Sequence, residues 1–216
     1  PASAFIRAPG HLTSSEAATL PCAAVTAWAA LLTRGCLIPG EHVLVQGTGG
    51  VAVFAVQFAK AMGATVTVIS SSDEKLAKIR ELGADYAVNY REHPQWSDRV
   101  NELLNGEHID LAIELGGAVT LAQTLQCLRV GGRISVIGVL SGNEAQLMIS
   151  DILRKWVSLN GITVSLREDF RAMNRFMATH GIKPVIDHEV PFEQAETAYR
   201  ELGAGQHFGK IVIAHQ

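Results

Sequence analysis

A glycine-rich turn at residues 47–52 is the segment of this sequence best suited to hold a charged ligand. Its sequence, Gly-Thr-Gly-Gly-Val-Ala, places Gly47, Gly49 and Ala52 at the three defining positions of a G-x-G-x-x-G/A pattern. The first position permits a tight turn, the second lets a pyrophosphate approach the backbone, and the small third residue lets a helix pack closely on a strand. The N–H groups of a helix start also attract an anion. We therefore expect an anion to be bound by these three residues together with Thr48, Gly50 and Val51.

The neighbours of the turn provide the context that such a pattern requires. The apolar run 43–45 precedes it and is typical of a buried strand. Apolar residues follow it at the spacing of an amphipathic helix, at Val51, Phe54, Ala55, Phe58 and Met62. A strand-to-helix turn without a ligand is the alternative, and we favour a dinucleotide-binding turn because context and spacing agree.

The end of the next predicted strand, residues 65–69, bears on which dinucleotide would bind. Ser70 follows that strand, 23 residues after Gly47 (70 − 47 = 23). An acidic residue there would bind the ribose hydroxyls of NAD. The neutral Ser70 and Ser71, with Lys75 one helical turn further on, instead favour the additional phosphate of NADP(H). The alternative is a serine helix cap beside a solvated lysine. The lack of an acidic residue at this position also disfavours an S-adenosylmethionine methyltransferase.

Composition excludes several classes of function. The chain has 216 residues, of which 48% are hydrophobic and 18% charged, as in ordinary globular proteins. Its net charge of −3 argues against a nucleic-acid partner, and no apolar run is long enough to cross a membrane. Three cysteines without paired spacing favour a reducing compartment, and we expect a cytoplasmic protein with a small-molecule substrate.

The alternation of predicted elements indicates the fold class. Short β-branched runs alternate with helical patterns, which predicts an α/β fold with a Rossmann-type, doubly wound parallel sheet. We predict strands at 43–45, 65–69, 85–88, 108–114, 133–137, 156–164, 184–190 and 208–214. We predict helices at 19–34, 51–62, 73–82, 94–104, 119–128, 169–180 and 192–202, and a short helix capped by Ser14-Ser15-Glu16.

Several motifs together resemble a known superfamily. They are LPCAAVTAW (20–28), QGTGGVAVFAVQFAKAMGA (46–64), SSSDEKL (70–76), VNYRE (88–92), GGRISVIGVLSG (131–142) and FGKIVI (208–213). In this order they resemble the medium-chain dehydrogenases/reductases, in particular the zinc-type alcohol dehydrogenase-like and quinone oxidoreductase-like branch. The resemblance implies an NADP(H)-dependent oxidoreductase that transfers hydride to a carbonyl, quinone or activated alkene.

The resemblance also implies roles for individual residues. Thr26 would lie near the nicotinamide and Tyr90 against the adenosine phosphate. The loops after the fourth and fifth strands would hold the nicotinamide ribose and carboxamide through Leu115, Gly116, Gly138, Val139 and Leu140. Cys22 is similar in position to one zinc ligand of true alcohol dehydrogenases. A catalytic zinc needs three protein ligands, and a lone cysteine is usually a small apolar residue, so we expect no zinc in this chain.

Members of this superfamily begin with a separate catalytic domain that is not in the sequence. We therefore expect residues 1–182 to form the dinucleotide-binding domain with its lead-in, and residues 183–216 to be strands that return to a missing catalytic domain. Such a fragment would be inactive by itself. A non-catalytic nucleotide-binding or regulatory module is the alternative. The apolar segment 156–164 would be an exposed sheet edge, and we expect it to join two chains as a homodimer.

Overall fold

The computed structural model describes residues 5–215, and its core is a six-stranded parallel sheet. The strand order is β3-β2-β1-β4-β5-β6, so the chain starts in the middle of the sheet and winds outward in both directions. The predicted Rossmann-type fold is confirmed. The strands are β1 (His42–Gln46), β2 (Thr65–Ser70), β3 (Tyr86–Asn89), β4 (Ile109–Glu114), β5 (Leu128–Val136) and β6 (Ser158–Gly161).

Helices cover both faces of this sheet. One face packs on Phe54, Phe58 and Met173, and the other packs on Trp96 and Leu125. Burial on both faces explains why β1 is apolar at three successive positions rather than at alternate ones. The helices are α1 (Ser14–Ala18), α2 (Val25–Trp28), α3 (Gly50–Ala61), α4 (Asp73–Glu81), α5 (Trp96–Leu104), α6 (Leu121–Cys127), α7 (Ile149–Lys155), α8 (Arg167–His180) and α9 (Ala195–Ala204).

The predicted helix 19–34 is not a regular α-helix. Wider π-helical turns, Leu20–Ala24 and Ala29–Thr33, flank α2 on both sides. The carbonyl of Ala30 accepts a hydrogen bond from the hydroxyl of Ser135 on β5, at 2.7 Å. The N–H of Arg34 reaches back to Ala29 instead, at 2.9 Å, which closes the wider turn. A contact from the sheet therefore accounts for the second of these irregular turns.

The prediction of a strand over 156–164 was mostly wrong. Only Ser158–Gly161 is a strand, and Trp156 ends the unpredicted helix α7 in a left-handed conformation, with φ 49°. A non-glycine residue in this conformation is uncommon, so the sequence gives no stop signal for the helix. The edge of the sheet is therefore shorter than expected, and α7 lies directly before it.

Two smaller boundaries also differ from the prediction. Thr13, rather than the Ser14–Glu16 segment, caps α1: its hydroxyl accepts the N–H of Glu16 while the Glu16 carboxylate accepts the N–H of Thr13. The fifth strand begins at Leu128 rather than at 133, and a bulge lies between its two pairings with β4. The preceding helix is correspondingly shorter than the predicted 119–128.

The C-terminal segment forms a second sheet. It consists of two parallel strands, β7 (Ile186–Pro191) and β8 (Lys210–Ala214), connected through a 3₁₀ turn (Phe192–Gln194) and α9. The division of the chain at residue 182 stays a prediction, although this small sheet lies entirely after it. None of the helices described over residues 5–215 has both the length and the apolar character needed to cross a membrane.

Candidate functional site

The glycine turn leaves open space where the sequence predicts an anion. Gly47 adopts φ +78°, and its N–H donates to the carbonyl of Ile69 at 2.7 Å. A Cβ atom at Gly47 or Gly49 would meet no atom within 4 Å. Gly49 caps α3 without a side-chain hydrogen bond, so Gly50 and Val51 start the helix with N–H groups available to a ligand. Ala52 is fully buried, as expected for a helix packed closely on a strand.

The C-terminal sheet contacts this turn, which the sequence did not predict. The N–H of Gly209 donates to the carbonyl of Thr48 at 3.0 Å, and Gly49 and Gly209 form a parallel bridge. Lys210 lies so near the start of α3 that a Cβ on Gly50 would be 2.5 Å from its Cδ. The stem of a basic side chain therefore lies beside the predicted anion site. Its only sequence signal is the FGKIVI motif, which supports the resemblance but does not indicate a ligand.

At the end of β2 the predicted residues lie close together along the backbone, but their side chains differ in exposure and in hydrogen-bond partners. Ser70 is the last residue of β2, and its carbonyl accepts the N–H of Tyr90 at 3.0 Å, so these two predicted residues are adjacent. Ser70 is only 3% exposed, whereas Ser71 is half-buried. The hydroxyl of Ser72 caps α4 by accepting the N–H of Lys75.

The ammonium group of Lys75 is already engaged. It donates to the carbonyl of Gly205, just after α9, at 2.6 Å. Burial lowers the pKa of Lys75, and the charges of Asp187 and Glu74 oppose that change. A phosphate at the end of β2 would therefore have to draw Lys75 away from this carbonyl or bind beside it.

A cavity of about 480 Å³ lies at the carboxyl ends of the central strands, where open α/β sheets bind ligands. Its walls bring together five of the predicted positions: Gly47, Tyr90, Leu115, Gly116 and Leu140. Another cavity, of about 530 Å³, lies within the C-terminal segment between β7 and α9 and contains none of the predicted residues. The first cavity is therefore the one that coincides with the predicted site.

The loops after β4 and β5 are joined to each other. The carbonyl of Gly116 accepts both the N–H and the hydroxyl of Ser141, each at 2.8 Å. Gly138 lies against the backbone of Leu115, where a Cβ would be 2.1 Å from the carbonyl oxygen. Beyond this contact the side chains of Val139 and Leu140 are exposed, Leu140 to 89%. The predicted residues of the two loops therefore form one continuous surface.

Thr26 and Cys22 lie outside the cavity wall, as do the predicted residues 48–52, Ser70, Ser71, Lys75, Gly138 and Val139. Thr26 is buried in α2 and is not part of the cavity wall. The same helical stretch does approach the glycine turn, since a Cβ on Gly50 would be 3.2 Å from the Cβ of Ala23. Cys22 is exposed, and no group of three metal-ligating side chains occurs among residues 5–215.

Comparisons with known proteins agree with this fold. A family model described as zinc-binding dehydrogenase matches residues 50–179. A zinc-type alcohol dehydrogenase-like protein of Schizosaccharomyces pombe is 43% identical over 99% of the chain and 63% of its own length.

Solved structures give the same result. A candidate alcohol dehydrogenase from Sinorhizobium meliloti 1021 is 43% identical, with a TM-score of 0.92 over 98% of this chain and 61% of its own. An NAD-dependent alcohol dehydrogenase is 32% identical, with a TM-score of 0.91 over 98% and 62%. A 2-octenoyl-CoA carboxylase reductase in complex with NADP and 2-octenoyl-CoA is 28% identical, with a TM-score of 0.89 over 97% and 52%.

These matches have two consequences. The chain spans about three fifths of the length of the alcohol dehydrogenase-like relatives named above. The family model covers more than half of the chain, and the predicted resemblance is confirmed. The chain therefore belongs to the family of zinc-binding dehydrogenases.

Proposed function

We propose that this chain is the cofactor-binding part of an NADP(H)-dependent oxidoreductase that transfers hydride to a carbonyl, a quinone or an activated alkene. The observation that carries the proposal is the glycine turn between β1 and α3, which opens beside a cavity containing Tyr90, Leu115, Gly116 and Leu140. The NADP complex of the carboxylase reductase supports a nicotinamide cofactor in this fold. The NAD-dependent relative leaves the choice between the two cofactors to the residues at the end of β2.

The residues fit a dinucleotide along one path. The start of α3 and Lys210 would hold the pyrophosphate, since the helix start presents positive charge to the open space above Gly49 and the stem of Lys210 lies beside that helix start. Ser70, Ser71, Lys75 and Tyr90 would contact the adenosine ribose and its phosphate. Thr26, Val139 and the joined loops after β4 and β5 would orient the nicotinamide end. When bound, the nicotinamide supplies the hydride, and the protein positions it.

We expect the protein to bind NADPH but not to oxidise it steadily with a quinone or an aldehyde. The reason is that the chain spans about three fifths of the length of its relatives, and the resemblance implies that part of the substrate pocket belongs to a separate catalytic domain. Fluorescence titration with NADPH and a steady-state oxidation assay would measure the two properties. Sustained turnover by the 216-residue chain would contradict the proposal of an inactive fragment, and absence of NADPH binding would contradict the proposed function itself.

A matched pair of variants tests whether binding occurs at the glycine turn. Gly49→Ala should weaken NADPH about tenfold or more, because a displaced phosphate loses charge-assisted hydrogen bonds. Gly203→Ala on α9 is the control, because a Cβ there also meets no atom within 4 Å. Equal affinities of the two variants would place the cofactor elsewhere.

We propose no zinc site in this chain, because Cys22 alone could supply only one of the three ligands that a catalytic zinc requires. We propose a cytoplasmic location, since all three cysteines are free, as is usual in a reducing compartment. The substrate is a small molecule, because its reacting group must lie against the nicotinamide surface of the cavity.

We also propose a homodimer through segment 156–164. In the described chain β6 pairs only with β5, so its other edge is open. Leu159 on this strand is 40% exposed and Trp156 is 76% exposed, and the neighbouring α7 exposes Ile149 and Leu153. These apolar side chains form a patch of the kind that joins subunits.

Light scattering at high protein concentration should therefore give the mass of a dimer. Leu159→Lys should yield monomers, because it places two charges in the apolar interface. Leu202→Lys, at an exposed apolar residue on α9 in the C-terminal segment, should remain dimeric. A monomeric parent protein, or a Leu159→Lys variant that still dimerises, would count against this interface.

A further inference from the structure

A buried carboxylate lies beneath the cavity and accepts five hydrogen bonds. Glu114, the last residue of β4, has no exposed surface. One of its oxygens accepts the N–H groups of Gly116 and Gly117, at 3.0 and 2.9 Å, and the hydroxyl of Thr120, at 2.5 Å. The other accepts the amide of Gln46 at 2.6 Å and the hydroxyl of Thr124 at 2.7 Å. Five donors around one group match an ionised carboxylate, which is an acceptor only.

No basic side chain lies within ion-pair distance of Glu114 in the part of the chain that the structure describes. Its charge is therefore held by neutral donors alone. A buried charge is costly unless it is fully hydrogen-bonded, and here three of the five donors come from residues that line the cavity: Gln46, Gly116 and Thr120. The network thus has little tolerance for the loss of a single member.

Glu114 also fixes the orientation of Gln46. The amide nitrogen of Gln46 points to Glu114 and to the hydroxyl of Thr124, so its oxygen faces the other way. That oxygen accepts the N–H groups of Leu115 and Gly116, at 3.0 and 2.9 Å. Gln46 and Gly116 themselves line the cavity. The carboxylate and the glutamine together therefore set the path of residues 115–117.

This turn determines the shape of both loops. Gly116 presents its carbonyl to Ser141, and Leu115 is the backbone against which Gly138 packs. If the N–H groups of residues 115–117 lost their acceptors on Gln46 and Glu114, the turn would shift, and the loop after β5 would move with it.

We propose that Glu114, acting through Gln46, is a positioning residue for the bound dinucleotide: its ionised carboxylate fixes the turn at 115–117 and so the cavity wall that the cofactor contacts. The proposal rests on the proposed function. Glu114 does not itself line the cavity, so its effect reaches the cofactor through the turn.

An exchange of the acid and the amide gives the sharpest test. Glu114→Gln would put an amide nitrogen toward donors, and Gln46→Glu would put two carboxylates where a 2.6 Å hydrogen bond now lies. Each single variant should weaken NADPH binding about tenfold or more, the effect of losing one charge-assisted hydrogen bond. The double variant restores one acid facing one amide with the same set of donors. It should recover affinity to within about threefold of the parent, as expected for strongly coupled neighbours.

The measurement is NADPH affinity by fluorescence titration, at a temperature where circular dichroism shows each variant folded. A folded Glu114→Gln variant with parental affinity would overturn the proposal, as would a double variant no tighter than the singles. Because affinity is compared only where every variant is folded, its loss in the single variants and recovery in the double variant report the turn rather than global stability. If Glu114→Gln does not fold, Thr124→Val decides: it should bind NADPH more weakly than Thr124→Ser, which keeps the hydroxyl, and equal affinities would overturn the proposal. Failure of the parent protein to bind NADPH would instead contradict the proposed function.

Discussion

Replacement of Ser70 by aspartate is expected to reverse the cofactor preference of the protein from NADPH to NADH. The parent should favour NADPH at least tenfold, because a phosphate gains one or two charge-assisted hydrogen bonds of about 1.5–3 kcal/mol each. An aspartate at the end of β2 would repel the phosphate and offer the ribose hydroxyls a bidentate acceptor. Since Ser70 is nearly buried, the new carboxylate must turn toward the cavity to be solvated or to bind the ribose.

A second variant removes the cation that the sequence predicts at the same site. Lys75→Ala should weaken NADPH and leave NADH nearly unchanged. Its contact with Gly205 must be given up or shared for the phosphate to bind, so the loss should be smaller than that caused by Ser70→Asp. Lys78→Ala is the control, because Lys78 lies on the same helix but pairs with Glu74 at the surface.

Calorimetric titration of both cofactors against the parent and the three variants measures these differences. Equal affinity of the parent for NADH and NADPH would show that the end of β2 does not select the phosphate. A Ser70→Asp variant that still prefers NADPH would lead to the same conclusion.

Replacement of Gly138 by alanine is expected to destabilise the fold by about 1–3 kcal/mol, the usual result of forcing a methyl group into a packed site. A Cβ there would lie 2.1 Å from the Leu115 carbonyl oxygen and 2.9 Å from its Cα. Both are backbone atoms, so neither can move away by a change of rotamer. The two loops must separate, and NADPH affinity should fall together with stability.

Gly203→Ala is the matched control for this prediction. Gly203 lies on α9, away from the two loops and from segment 156–164, and a Cβ there meets no atom within 4 Å. Urea unfolding should give a lower midpoint for Gly138→Ala and a midpoint no lower than that of the parent for Gly203→Ala. Identical midpoints for the two variants would mean that the loops after β4 and β5 are not held together as described.

The sequence predicted the central sheet well because its signals are local. The turn at 47–52 lies between a buried strand and an amphipathic helix, and each part is recognisable within a few residues. The cap of α1 also has a local signal, since Thr13 and Glu16 have the spacing of a capping box. The prediction chose the wrong residue because Ser14 and Ser15, which follow Thr13, are equally suitable cap residues.

The remaining features depend on contacts between distant residues. The link from Lys75 to Gly205 joins positions 130 residues apart, and no local pattern reports it. The wide turn at Ala29–Thr33 depends on a hydroxyl from β5. Helix α7 was missed because Trp156, which ends it in a left-handed conformation, is of a residue type that rarely does so. In each case tertiary structure overrides the local signal.

The contact of Gly209 with Thr48 has a consequence for biosynthesis. The ribosome makes the glycine turn before it makes β8, the strand that completes the surroundings of the turn. A nascent chain that already contains all six strands of the main sheet still lacks Lys210 beside α3. Full affinity for the dinucleotide should therefore arise only after β8 has emerged, so that cofactor capture reports that both sheets have been made.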